Sequence, residues 1–194
     1  KAILESMKPV LNGFYGQDIK EVVRENNVYH LSYHSKYFVE FFKRLGVKTC
    51  KAEGKEVPEL IYTATFEAVI GFLQGLFTAD GTIGIQEINN TFYIRLTSKS
   101  LKLLKGVQLL LLNLGVLSKI YNRSRLQRNG FPYTNVNGEK RTYVLDGVCY
   151  ELQISRDNIK KFIEEIGFLG EKHKEKLGIL AKHNFYHSEF VDIV

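Results

Sequence analysis

The chain has 194 residues, 44% of them hydrophobic and 25% charged, which is enough to bury a core as one domain or two small halves and excludes intrinsic disorder. Its 27 Lys and Arg exceed 21 Asp and Glu for a net charge of +6, a balance that favours a polyanionic partner. Two cysteines, Cys50 and Cys149, and five histidines form neither a disulfide framework nor a zinc-ligand pattern, so a reduced, intracellular protein is expected.

Apolar periodicity switches between about 3.6 and two along the chain, the pattern of an α+β domain whose helices cover one face of antiparallel sheets. Residues 2–14 read as a helix, 19–25 and 28–34 as strands, and 36–46 as a second helix. Helix 65–79 leads into strands 82–88 and 91–98. Asn26-Asn27 and Asn89-Asn90 separate the paired strands and tolerate the left-handed backbone of a hairpin turn. Helix 99–114 is Leu-rich, but Lys102, Lys105 and Asn113 break the run, and no stretch of the chain reaches membrane-spanning length. Strands 117–127 and 142–154 follow, separated by Arg128 to Gly147, which is rich in Gly and Asn, contains Pro132, and reads as a long connecting loop. Helices 156–167 and 171–183 close the pattern. No signal peptide is visible, and position 1 is Lys rather than an initiator Met.

Part of this pattern repeats. Leu31 to Val47 parallels Leu152 to Phe168, each a strand, a helix and a Leu/Ile-Gly stop, and Ile94 to Val116 is a third unit of the same shape with a longer helix. Such repetition predicts a pseudo-symmetric protein.

The segment Phe72-Leu-Gln-Gly-Leu-Phe-Thr-Ala-Asp-Gly-Thr-Ile83 carries the chemistry. Gly75 and Ala79 lie four apart on one helical face, where small residues let two helix backbones approach closely. Asp80 then emerges at the helix end beside Gly81, where the negative end of the helix dipole favours a cation. A calcium loop would place Asp80, Gly81, Ile83 and Glu87 at positions five, six, eight and twelve, but its first position would be Leu76, which offers no oxygen ligand; that alternative is set aside.

Leu73-Gln-Gly-Leu-Phe-Thr-Ala-Asp-Gly81 resembles the signature helix of the LAGLIDADG homing endonucleases. The resemblance implies an α+β fold of pseudo-two-fold αββαββα repeats whose antiparallel sheets bind DNA. Two signature helices would pack through residues such as Gly75 and Ala79, and each would deliver an acidic residue to a Mg2+ site with two or more divalent ions shared between the helices. Asp80 and Gly81 are the implied metal ligands. Residues 65–183 fit a complete repeat, residues 1–64 a first repeat lacking its opening helix and first two strands, and 184–194 a tail leading towards a splicing domain that is absent here. Alternatively, Leu11 to Asp18 is a degenerate signature helix with Gly13 and Asp18 in the required places, which leaves that repeat two strands short.

Lys55-Glu-Val-Pro58 resembles the Lys-x-Ile-Pro segment of intein-embedded members and begins 25 residues before Asp80. By that resemblance Lys55 is a catalytic lysine, and Lys172, with Lys174 as substitute, is its counterpart in the second repeat. On strand 117–127 alternation places Arg123, Arg125 and Gln127 on one face, with Gln86, Thr91, Tyr93 and Arg95 on the preceding hairpin; Arg suits guanine and Gln adenine in a major groove. The expected function is therefore a site-specific, Mg2+-dependent double-strand DNA endonuclease domain of intein-embedded type with a long recognition site, either a pseudo-symmetric monomer or a homodimer through the signature helix, cytoplasmic or nucleoid-associated. The alternatives are a catalytically incomplete DNA-binding relative of maturase or regulator type, and an oligomerisation module. Lys1 and Val194 supply neither the nucleophile nor the His-Asn pair that protein splicing requires.

Overall fold

The computed structural model describes residues 2–23, 29–32, 34–86, 88, 91–125, 131–134, 138–143, 147–170 and 173–182. In chain order the elements are α1 (Ala2–Tyr15), β1 (Lys20–Val23), β2 (Tyr29–Ser32), α2 (Lys36–Arg44), two short 3₁₀ turns (Ala52–Gly54 and Glu59–Thr63), α3 (Phe66–Asp80), β3 (Gly81–Gln86), β4 (Thr91–Ser98), α4 (Leu101–Asn113), β5 (Lys119–Asn122), β6 (Phe131–Thr134), β7 (Lys140–Tyr143), β8 (Tyr150–Ser155), α5 (Asp157–Glu165) and α6 (Lys174–Ala181). Every helix predicted from periodicity is present, with ends shifted by a few residues.

The second half of the chain is built on one antiparallel sheet of order β3-β4-β8-β5. Alternation decides its two faces. Ile83, Ile94, Leu96, Leu152 and Ile154 are buried on the covered face, while Thr82, Arg95, Gln153 and Lys119, which stand opposite one another across the four strands, lie on the open face. α3, α4 and α5 cover the sheet with Leu73 and Phe77, Leu104, Val107 and Leu111, and Ile159 and Phe162. Phe77 meets Phe162 edge-on at 4.7 Å between ring centroids. Among the described residues no helix is long and apolar enough to cross a membrane.

The three strand-helix-Gly units end alike. Gly46, Gly115 and Gly167 have φ of +86°, +72° and +66°, the left-handed geometry that closes a helix at little steric cost for Gly alone. Val47 N–H donates to Phe42 O and Val116 N–H to Leu111 O, so two of the stops also share the six-residue return bond. Ser35 and Ser100 cap the starts of α2 and α4 by accepting from Phe38 N–H and Leu103 N–H.

The stretch expected to be a long loop, 128–147, contains a two-stranded ribbon in which β6 pairs with β7. Pro132 disguised it. Both strands of a two-stranded ribbon are edges, so the N–H that proline lacks need not enter a ladder. The predicted strand 142–154 is two strands, β7 and β8, with Gly147 at φ +75° between them. The Asn26-Asn27 and Asn89-Asn90 turns lie outside the described residues, but the strands flanking them pair antiparallel as expected, Val23 opposite Tyr29 and Gln86 opposite Thr91.

In the N-terminal part, Phe38 lies in a cluster with Phe41 and Phe42 at 6.1 and 5.4 Å. α1 ends at Tyr15, before Asp18. The Asp18 carboxylate is taken up by Asn12 Nδ2 at 2.8 Å and by Lys8 Nζ at 3.3 Å, which leaves the alternative signature helix with an acid tied to its own α1.

Phe77 is fully buried between α3 and α5. Phe77→Ala is expected to destabilise the chain by about 3–5 kcal/mol, read as a lowered urea midpoint with circular dichroism; a loss below about 1 kcal/mol would show that α3 is not held by this contact.

Candidate active site and nucleic-acid interface

α3 presents three different faces. Val69, Leu73 and Phe77, spaced four apart, form the buried stripe. Gln74 and Thr78 form a polar tether: Gln74 Nε2 donates to Ile166 O at 2.8 Å, and Thr78 Oγ1 accepts from Leu169 N–H at 2.8 Å. This pair holds α3 against the segment after α5 and was not singled out from the sequence, although two polar residues four apart in an apolar helix were the available signal. Gly71, Gly75 and Ala79 form the third face. Ala79 is exposed, and a Cβ built at Gly71 or Gly75 meets nothing within 4 Å. Among the described residues nothing therefore fills the space beside Gly75, the position where a partner helix is expected.

Asp80 is the last residue of α3 and is exposed, while Gly81 is buried and begins β3 without an intervening loop. Gly81 has an ordinary extended backbone, φ −77°, ψ 156°. Glycine is required there for space, since a Cβ would lie 2.3 Å from Phe77 O. The helix therefore turns into a strand directly under the carboxylate.

Asp80 and Lys55 line the same cleft, of about 270 Å³, together with Leu76, Thr97, Ser98 and Lys99. Lys55 reaches it from an irregular segment that α4 clamps on three sides. Ser100 Oγ donates to Lys55 O while capping α4. Glu56 forms ion pairs with Lys102 and Lys48. Val57 is buried against Gly106, where a Cβ would come within 2.8 Å of Val57 Cγ2. The lysine is thus exposed on a backbone whose neighbours are fixed. Thr97, Ser98 and Lys99 were missed from the sequence because they close β4 and precede a cap, positions that suggest only a turn.

Among the described residues no cluster of three or more His, Cys, Asp or Glu side chains is arranged to hold a metal ion. Asp80 supplies one carboxylate at a helix C-terminus, a favourable place for a cation. Lys172 lies outside the described residues. Its substitute Lys174 opens α6 and does not line the cleft; its neighbour Lys176 donates from Nζ to Ile83 O at 2.9 Å and latches α6 to the edge strand β3.

Of the expected DNA-contacting residues, Gln86, Arg95, Arg123 and Arg125 fall on the open face of the sheet. Arg95 lies opposite Thr82 and Gln153. Gln86 is exposed at the end of β3. Arg123 N–H donates to Cys149 O and Arg125 N–H to Gly147 O, so pairing with the β8 side continues past β5 and keeps both arginines in one alternation. Gln127 lies outside the described residues. Unforeseen members of this face are Lys119, Tyr121, Gln153 and Glu151. Lys119 and Arg123 lie over the Tyr121 ring at 5.3 and 4.8 Å. The alternation of Glu151, Gln153 and Ser155 with Leu152 and Ile154 was the signal for the β8 residues.

A model of the LAGLIDADG-like domain matches residues 67–167, more than half of the chain. The chain is 32% identical over 160 residues to the ribonucleoside-diphosphate reductase NrdEB subunit alpha of Bacillus subtilis (strain 168), covering 78% of this chain and 14% of that protein. It is 29% identical over 140 residues to the replicative DNA helicase DnaB of Rhodothermus marinus, covering 71% of this chain and 13% of the helicase. The chain therefore spans about a seventh of the length of these curated relatives. Among solved structures it is similar to the homing endonuclease I-DmoI, with TM-scores of 0.54 and 0.53 at 22% and 23% identity, covering 86% of this chain and just over 70% of the other. The likeness establishes a shared fold.

The clamp on Lys55 has a pH signature. Hydrogen bonds from Lys102 first and Lys48 second hold the Glu56 carboxyl at about 2, below its ordinary 4.5. A depressed carboxyl contributes stability above its unfolded value, and that contribution is lost as pH falls from about 4.5 to about 2. Glu56→Gln should flatten the acid limb of melting temperature against pH within this window; an acid limb identical to that of the parent would show that the clamp carries no charge-dependent stability.

Proposed function

The chain belongs to the LAGLIDADG-like domain family, and from that premise we propose that it is a site-specific, metal-dependent double-strand DNA endonuclease domain of the homing type, carried as an intein-like insertion. The observation that carries this reading is the cleft shared by Asp80 and Lys55, two residues 25 positions apart that the fold brings to one hollow. I-DmoI, which shares the fold, has been solved with its target DNA in the presence of magnesium. The open, arginine-bearing sheet face of this chain suits a long duplex in the same role.

Asp80 would hold the divalent ion, with the main-chain carbonyl of Gly81 as a further oxygen ligand. When bound, Mg2+ supplies charge stabilisation at a phosphoryl oxygen and an acidified water. The Lys55 ammonium, fixed through Ser100 and Glu56, would stabilise negative charge gathering on the scissile phosphate. Lys172 is the proposed counterpart at the second phosphate. The second acidic residue would come from another signature helix seated on Gly71 and Gly75, either in a second copy or in further sequence, and the ions would then be shared between the helices.

The insertion reading draws on the relatives. A reductase and a helicase have no chemistry in common, and in each the matching segment occupies about a seventh of the protein. A segment shared by such hosts is an unsuitable carrier of either host's reaction and a natural mobile insert. A second reading, a DNA-binding relative that no longer cuts, is favoured by the single carboxylate among the described residues of the cleft.

Incubation of the chain with a randomised duplex-DNA library in Mg2+, beside a binding selection in Ca2+, separates the two readings. Asp80→Asn should lower cleavage by at least about a hundredfold while binding persists, and Lys55→Met should lower cleavage with binding likewise retained. Binding without cleavage by the parent chain would favour the non-cutting reading; cleavage unaffected by Asp80→Asn would overturn the assignment of the site.

A further inference from the structure

Glu151 is a nearly buried carboxylate on the face of the sheet that carries the arginines. It is 8% exposed, and a carboxylate so far withdrawn from water requires charged or hydrogen-bonding partners. Its two oxygens are divided between two strands: Oε2 lies 3.3 Å from Arg95 Nη1 on β4, and Oε1 lies 3.5 Å from Arg123 Nη2 beyond the end of β5. Each guanidinium also rests on a ring. Arg95 lies over Tyr93 at 5.5 Å and Arg123 over Tyr121 at 4.8 Å. Tyr93 is itself seated flat on Gly84, where a Cβ would come within 2.1 Å of the ring. Both arginines are therefore held from two sides, yet 38% and 53% of their side-chain surfaces remain open to solvent.

A phosphate clamp would gain nothing from this arrangement, because a fixed negative charge between two arginines repels phosphate and weakens the contact. A base reader is served by it. Base edges are neutral, and the bidentate match between a guanidinium fork and guanine O6 and N7 depends on a fixed orientation. Each guanidinium has five N–H donors, so donors remain after the carboxylate contact. Two head groups on the two oxygens of one carboxylate also lie within about three base-pair rises of roughly 3.4 Å.

We propose that Glu151 is a positioning residue that orders Arg95 and Arg123 as a coupled pair of guanine readers, specifying two guanines within about three base pairs of each other. This rests on the reading that the sheet binds duplex DNA. The coupling distinguishes it from two independent arginine contacts, since one change at Glu151 must blur both positions together.

The test is a binding selection in Ca2+ on a randomised duplex library, comparing the parent chain with Glu151→Gln, Arg95→Lys and Arg123→Lys, with melting temperature as the folding control. The parent should select two nearby guanines. Arg95→Lys and Arg123→Lys should each lose about tenfold to a hundredfold discrimination at one of them. Glu151→Gln should relax both while binding to unselected duplex stays equal or strengthens. Guanine preference unchanged in Glu151→Gln, or relaxed at one position only, would overturn the coupling while leaving DNA binding intact. Should Glu151→Gln fail to fold, unchanged preferences in the two lysine variants would overturn the proposal, and loss of one guanine in each would sustain the reader assignment. No duplex binding by the folded parent would overturn the DNA reading itself, and this inference with it.

Discussion

The rotation of α3 about its own axis is the constraint on which the site depends. Val69, Leu73 and Phe77 turn one stripe into the core, and each such side chain contributes about 1.5–3 kcal/mol by burial. Turning the helix by a single residue would expose that stripe and drive polar positions inward, at a further several kcal/mol if a carboxylate were buried without a partner. With the stripe fixed, Gln74 and Thr78 meet the segment after α5, Asp80 reaches the cleft, and Gly71 and Gly75 face outward. The bare backbone at Gly81 then lets the chain enter β3 directly, so the carboxylate inherits the rigidity of both a helix and a strand.

Lys55 obtains a comparable position without regular structure around it. A lysine on an irregular segment would ordinarily wander, and catalytic groups lose effect when misplaced by even 1 Å. Here the restraint lies one residue to either side of the charge. The Lys55 carbonyl is held by a buried serine hydroxyl, Glu56 by two ammonium groups, and Val57 by the core. α4 supplies Ser100, Lys102 and Gly106 within two turns, so one helix N-terminus organises the whole approach. The side chain keeps its freedom to reach into the cleft while its root does not move.

Local pattern was sufficient to read the helices, the three glycine stops and the acid at the end of α3 from the sequence, because each depends on residues within a turn or two of one another. The family resemblance added Lys55, and the fold brings it to Asp80. What escaped reading depends on distant partners. Ser100 looks like a helix cap and is one, but its bond to Lys55 spans 45 residues. Gln74 and Thr78 look like neutral motif letters until Ile166 and Leu169 arrive more than 90 residues later. Glu151 alternates correctly for an open sheet face, yet nothing in its own strand announces the arginines on the strands either side. The β6–β7 ribbon was lost for a different reason: Pro132 argues against a strand only where a central ladder is assumed.

The core of the second half is built on one face of the sheet by α3, α4 and α5, with Leu180 of α6 and Val57 from the preceding segment, and a Cβ at Gly71 or Gly75 would touch none of it. On the proposed reading, folding and catalysis therefore have different requirements. Folding and presentation of the arginine face draw on this half together with the Val57 segment that α4 holds. Cutting would need a second acid, and the small-residue face of α3, whose two glycines leave room for another helix backbone beside Asp80, is where that acid would arrive. On that reading the open helix face and the single carboxylate among the described residues of the cleft have one cause. On the proposed reading such a domain would hold a duplex in place before its metal site is complete, so that recognition would precede, and condition, hydrolysis.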